Sequence, residues 1–335
     1  IECRSTLTNP GDGCVALNIL CTGVASAAAL DYVMGHSYLN AQITQGIVSA
    51  TLQGEPFSTW AGPVSMALGV EHRREAEEGT SDALSLVNSY WAGNYKPIQG
   101  SYHVNEAFLE MLVPLARDEA WARSLDLNMA VRATDYSTSG YVTTWKVGAS
   151  WAPISDVRFR ITRSRDIRAG NLSELFQAGQ TNTTTLVDPF KDDQAYTVFQ
   201  TTVGNPVVSP EKADTLNLGV VFQPTFLPGF SASVDYFDIN VKDAITTLAA
   251  STIVNQCFEG NSAICDLIER DADGFMTEVF RRPINLARQT VRGLDFEAGY
   301  RVPLEAIAAS WGPGRLGFRF LATRYLESSM DDGVS

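Results

Sequence analysis

Apolar and polar residues alternate with period 2 along this chain, again and again, in windows of about ten residues. Between Ser124 and Thr134, Leu125, Leu127, Met129, Val131 and Ala133 alternate with Asp126, Asn128, Ala130, Arg132 and Thr134. From Tyr141 onward, Tyr141, Thr143, Trp145, Val147, Ala149 and Trp151 share one parity, and Val142, Thr144, Lys146, Gly148 and Ser150 the other. A strand sends successive side chains to opposite faces, so each window predicts a strand that is greasy on one side and wet on the other. After Asp156, Val157, Phe159 and Ile161 alternate with Arg158, Arg160 and Thr162, and the paired arginines exclude a dry core on their side.

The same pattern recurs over Gln45–Gln53, Pro63–Arg73, Tyr102–Val113, Ala213–Gln223, Gly229–Val241, Val291–Arg301 and Arg315–Arg324. The segment from Gly229 changes phase near Phe237, where a bulge or a misassigned strand is expected. No run reaches the roughly 18 apolar residues of a membrane-spanning helix, the best being the Ala-rich Val24–Leu30. If this chain crosses a membrane, it does so with strands.

The connections separate the remaining architectures. Short links (Gly54–Gly62, Pro114–Arg123, Ala152–Asp156, Pro224–Pro228, Val302–Gly314) alternate with long ones (Arg74–Gly100, Arg168–Lys212, Lys242–Arg288). Tyr136–Gly140 is the single short exception in the long set. Strands antiparallel in sequence order put each set at its own end, which is the asymmetry of an outer-membrane barrel. Phe57, Trp60, Trp121, Trp151, Phe222, Phe226, Phe230, Tyr300, Trp311 and Phe318 lie in or beside the short links, like an interfacial girdle. The alternative is a set of aromatics capping a soluble β-core.

A net charge of −13 disfavours a phosphate backbone as partner, so no nucleic acid is expected. His36, His72 and His103 have no metal-site or triad spacing, and Gly35-His36-Ser37 forms no nucleophile elbow. Glu106 and Glu110 share a strand face about 13 Å apart, too far for a glycosidase pair, and read as lumen-facing acids. Glu269, Asp271, Asp273 and Gly274 mimic part of a calcium loop, but Phe280 stands at the position needing a bidentate Glu. Asp273-Gly274 reads instead as a hairpin turn between Ile268 and Val279. No metal site and no cofactor is expected. The five cysteines lack metal spacing, so disulfides are expected, Cys257 with Cys265 and Cys3 with Cys14, in an oxidising compartment. Cys21 is then left over, and five unrelated thiols are the alternative.

Several segments resemble TonB-dependent outer-membrane receptors. Cys3-Arg4-Ser5-Thr6-Leu7-Thr8-Asn9-Pro10 with Gly13-Cys14-Val15-Ala16-Leu17-Asn18 is similar to an extracellular loop of that family. Gly62-Pro63-Val64 leading to Gly69-Val70-Glu71-His72-Arg73, and Asn94-Tyr95-Lys96-Pro97 followed by Gly100-Ser101-Tyr102, resemble successive barrel strands. Arg163 to Phe176 resembles a mid-barrel motif, with Gly170 where the family usually carries Pro. Asn205-Pro206 through Pro210-Glu211-Lys212-Ala213-Asp214, and Val291 to Glu297, are similar to later strand entries.

The resemblance implies an all-β fold: a transmembrane antiparallel up-and-down β-barrel with long extracellular loops, here a fragment of about ten strands out of about 22. It divides the chain into an extracellular loop region (1–41), barrel strands with loops (42–328) and the start of a loop (329–335). The chain reads as an excerpt of a longer polypeptide, without the plug domain, the TonB box or the last strands. The function implied is active uptake of a scarce ligand such as a ferric siderophore, vitamin B12 or an oligosaccharide, and not an enzyme activity. The implied partners are outer-membrane lipid and lipopolysaccharide, the TonB complex through the missing plug region, and a small-molecule ligand, in the outer membrane of a Gram-negative bacterium. A passive porin-like channel is the alternative, and a secreted glycan-active enzyme a more distant one. Tyr196 and Phe199, within Arg168–Lys212, are the candidate ligand contacts.

Overall fold

The computed structural model describes the chain apart from residues 1, 2, 21, 22, 24, 309, 311 and 332–335. The strands, in chain order, are β1 (Leu39–Thr59), β2 (Gly62–Ser81), β3 (Asn94–Tyr95), β4 (Gln99–Glu119), β5 (Ala122–Tyr136), β6 (Gly140–Ile154), β7 (Val157–Arg168), β8 (Gln180–Asp188), β9 (Gln194–Thr202), β10 (Glu211–Phe222), β11 (Phe230–Thr247), β12 (Ile268–Arg270), β13 (Met276–Arg281), β14 (Pro283–Pro303) and β15 (Arg315–Asp331). Ten of them, in the order β1-β2-β4-β5-β6-β7-β10-β11-β14-β15, form one antiparallel sheet. Each of the ten alternating windows falls on one of these strands, with Gln223 and Gly229 one residue beyond the ends of β10 and β11.

The strands outrun the windows. β1, β4 and β14 each have 21 residues, about twice the roughly 9 to 11 that cross a bilayer core. Beyond the lipid both faces of a strand meet water, so alternation vanishes while backbone pairing continues. Arg73 to Glu78, charged at every position but Ala76, still pairs along its whole length with β1. Strand β1 accordingly starts at Leu39, and β15 runs on through residues 329–331, pairing Asp331 with Arg288.

Two adjacent rows across the sheet show its two surfaces. Trp151, Phe159, Val220, Val234, Phe296 and Ala322 stand side by side on one face. One position along, Asp126, Ser150, Arg160, Gly219, Asp235, Asp295 and Thr323 stand side by side on the other. Val147, Ile161 and Leu218 on the apolar face remain 44%, 47% and 41% exposed, with no second layer over them among the described residues. An uncovered apolar surface of this extent has the character of a lipid-facing barrel wall, and the opposite face, laced with ion pairs, that of a wet lumen.

The turns at one end are tight: Trp60-Ala61, Ala120-Trp121 and Ser155-Asp156 close three hairpins. Aromatic residues crowd that end. Phe230, Tyr300 and Phe318 align across three strands, Trp151 stacks on Phe159 at 5.5 Å, and the Trp60 indole donates to the Leu115 carbonyl at 2.8 Å. Trp311 lies outside the described residues.

No bulge occurs at Phe237. The pairing of β10 with β11 runs unbroken from Lys212–Lys242 to Phe222–Ala232, and the irregularity falls between Val241 and Ala244, where Asp243 has φ 56°. Phe237 breaks the hydrophobic phase because it is a lumen residue. It lies across Gly293, where an added Cβ would come 2.5 Å from its ring, and meets Tyr325 edge-on at 6.3 Å. An aromatic ring on the wet side fills the gap above a glycine, which period counting reads as a slipped register.

Candidate functional site

At the end opposite the tight turns, the three long connections fold together. They supply a second, five-stranded sheet in the order β12-β13-β9-β8-β3, in which β13 and β9 run parallel. The long connections are therefore ordered structure rather than open loops. Alternation had not revealed these strands because they are short and mostly polar, Gln180 to Thr185 above all. The β12–β13 hairpin turns at Asp271, whose carboxylate accepts the backbone N–H groups of Asp273 and Phe275, and Gly274 takes φ 81°; Ile268 pairs with Val279.

One face of this sheet is apolar over half its width. Leu186, Val198, Met276 and Val279 pack against Ile253 and Val254 of the helix Ala250–Phe258. The Cys257–Cys265 disulfide ties that helix to the next turn, and Cys3 is bonded to Cys14 near the start of the chain. Cys21 lies outside the described residues. At the border of the apolar half, Asp188 is fully buried and accepts from Arg270 (2.6 and 3.1 Å), the Tyr196 hydroxyl (2.5 Å) and the Phe190 N–H (3.1 Å). Burial would push its carboxyl up, but these donors outweigh burial and hold it below the usual carboxylate range.

The other half of the same face is polar. Tyr95, Gln180, Thr202 and Arg281 form one cross-strand row over β3, β8, β9 and β13, and Asn182 pairs with Gln200 beside it. These six residues line a cleft of about 540 Å³. Each of the three long connections contributes to it, a convergence that no local sequence signal reports.

The Arg163–Phe176 motif packs against the lumen face at the same end. Arg168 donates to Glu211 (2.6 and 3.0 Å) and to Glu174 (2.9 and 3.1 Å). Glu174 completes a capping box with Asn171, which starts the helix Leu172–Phe176. Leu172 and Leu175 pack with Tyr102 and Val104 on the lumen face, and the Phe176 ring lies over Gly100, where a Cβ would collide with it. Gly170 sits against Val208 and Leu175, so a larger side chain there would press on that cluster.

The two candidate ligand contacts differ in their surroundings. Tyr196 is half-buried in the apolar half, its hydroxyl donating to Asp188 and accepting from the Met276 N–H at 2.8 Å, its ring edge-on to Phe275 at 5.4 Å. Phe199 projects from the other face and is exposed. Glu106, on the lumen side, accepts from Thr134 (2.8 Å) and Arg132 (3.3 Å), while Glu110 lines a separate opening with Asn128 and Lys146. His72 and His103 sit 6.0 Å apart, ring to ring, and His72 bonds Asn105.

The fold is similar to that of two solved receptor structures. The siderophore receptor PirA of Acinetobacter baumannii matches at a TM-score of 0.55 and 15% identity, over 87% of this chain and 37% of that one. A variant of the ferric enterobactin receptor PfeA of Pseudomonas aeruginosa matches at 0.56 and 16%, over 87% and 36%. The chain thus spans little more than a third of the length of either. A search of curated protein sequences finds no match. The family model described as TonB dependent receptor-like, beta-barrel matches residues 11–334, and the chain belongs to that family.

Proposed function

We propose that this chain forms part of the barrel wall and the extracellular mouth of an outer-membrane receptor that captures a small ligand for TonB-dependent uptake. The observation that carries the reading is the convergence of the three long connections on one cleft at the end away from the aromatic girdle. Family and structural neighbours are transport receptors rather than enzymes, which supports capture and passage over catalysis.

The chain's own residues account for the first steps. The loop sheet presents the cleft to the outside, the Arg168–Glu174–Glu211 cluster holds the helix Leu172–Phe176 across the lumen wall below it, and the ion-paired lumen face stays hydrated for an inward-moving ligand. The TonB partner, acting through a plug region of the kind family members carry, would supply the energy. Membrane lipid and lipopolysaccharide would cover the apolar face.

The test is growth of a strain that relies on the complete receptor for its nutrient, with and without an energised TonB partner, and with residues 180–202 replaced by a short Gly-Ser turn. Uptake is expected to need TonB and to be lost with the loop sheet while the barrel still inserts. Uptake at an unchanged rate without TonB would make the protein a passive channel.

A further inference from the structure

The cleft's chemistry narrows its ligand. Its polar half offers one aromatic ring (Tyr95), three side-chain amides (Gln180, Asn182, Gln200), one hydroxyl (Thr202) and one cation (Arg281). Much of this hydrogen-bonding capacity is unspent. Among the described residues the Gln180 amide and the Tyr95 hydroxyl have no side-chain partner in the protein, and the Gln200 amide reaches Asn182 at only 3.4 Å. Arg281 gives its Nε to the Leu248 carbonyl at 2.9 Å, which fixes the guanidinium and leaves its two terminal nitrogens for a ligand.

Each amide both donates and accepts, the pattern that adjacent hydroxyl groups satisfy. A tyrosine ring presents an apolar platform with a polar rim, suited to the C–H face of a sugar ring. A single guanidinium can take one carboxylate in a bidentate pair. It is poorly matched to a ligand with several negative charges, the more so on a chain of net charge −13. A volume of about 540 Å³ lies within the ordinary range for small-ligand sites.

We propose that this cleft binds a saccharide carrying at most one carboxylate, its ring against Tyr95, its hydroxyls on the amides of Gln180, Asn182 and Gln200, and any carboxylate on Arg281. The assignment rests on the receptor reading above and names the ligand class for that site.

The test uses the complete receptor in detergent micelles on an array of neutral and uronic-acid-containing oligosaccharides, with ferric enterobactin as a polyanionic comparison probe. Binding to a neutral or singly acidic oligosaccharide is expected. Tyr95→Ala and Gln180→Ala should each weaken it by about tenfold or more, and Tyr95→Phe should hold it within about threefold. Arg281→Gln should erase any preference for the acidic member of a matched pair. Among the described residues Gln180 makes no side-chain bond, so its variant reports recognition rather than folding, and unchanged heat-modifiable migration verifies the barrel.

Binding to no arrayed oligosaccharide overturns the proposal, as does binding indifferent to Tyr95→Ala and Gln180→Ala. So does ferric enterobactin binding that these variants abolish. In each of those cases TonB-dependent uptake can persist, leaving the receptor reading standing. Saccharide binding intact in a protein whose uptake ignores TonB would instead sink that reading and keep the ligand class.

Discussion

Arg160 of β7 and Asp235 of β11 form a bidentate ion pair, 2.7 and 2.5 Å, that reaches over the intervening strand β10 at Gly219. Gly219 is in register with both, and any Cβ there would run into the Asp235 carboxylate and the Arg160 side chain. The pair staples three strands on the lumen face, and it exists because the middle strand has no side chain at that row. Gly219→Val should break it and crowd the wall, lowering stability by about 1 to 3 kcal/mol, with Asp235→Asn milder. Thermal unfolding of the complete receptor in detergent, with Gly299→Ala as the control for a glycine where a Cβ meets only ordinary contacts, measures this; equal melting temperatures for Gly219→Val and wild type would refute it.

The two faces should differ sharply in their tolerance of charge. Leu127→Arg or Val147→Arg places a guanidinium against lipid and should cost on the order of 2 to 4 kcal/mol near the midplane. Asn128→Arg, on the lumen side beside Gly148 and Thr162, should be mild. Folding efficiency into lipid vesicles, scored by heat-modifiable migration, compares the three; similar yields would contradict the assignment of faces.

The Asp188 carboxyl is held below its ordinary range in the folded loop sheet by Arg270, Tyr196 and Phe190. A depressed folded value means that its contribution is full above the unfolded value of about 3.9 and is lost as pH falls through the lower folded one. The loop sheet should therefore loosen in acid below about pH 4 while the barrel stays intact. Hydrogen exchange of residues 180–202 and 268–281 against pH follows this, and Asp188→Asn should raise exchange at neutral pH and flatten its acid dependence.

Cys257 and Cys265 are joined across the end of the helix Ala250–Phe258, whose Ile253 and Val254 anchor the loop-sheet core. Non-reducing peptide mass spectrometry of the complete receptor should recover the linked pair. Cys257→Ser should cost the loop sheet about 2 to 4 kcal/mol and speed its proteolysis, with barrel migration unchanged. Two free thiols in oxidatively folded protein would remove the bond from the account.

Strand identity, the two faces and the sidedness of the links were legible in the sequence, since each is a local consequence of a chain crossing between lipid and water. Leu125 to Ala133 alternate because each neighbour faces a different medium, and Trp60, Trp121 and Trp151 mark the boundary where the media change. That rule goes silent where both faces meet the same solvent. It missed the charged upper half of β2 and the polar strands β8 and β9, and it mistook Phe237, a ring laid over Gly293, for a break in register. The cleft was out of reach for a further reason. Tyr95, Gln180, Thr202 and Arg281 come from three separate connections, and only the pairing of β3, β8, β9 and β13 sets them in one row. That pairing is chosen by backbone hydrogen bonds and by a shared apolar core of Leu186, Val198, Ile253 and Val279, contacts distant in sequence that no window of residues contains.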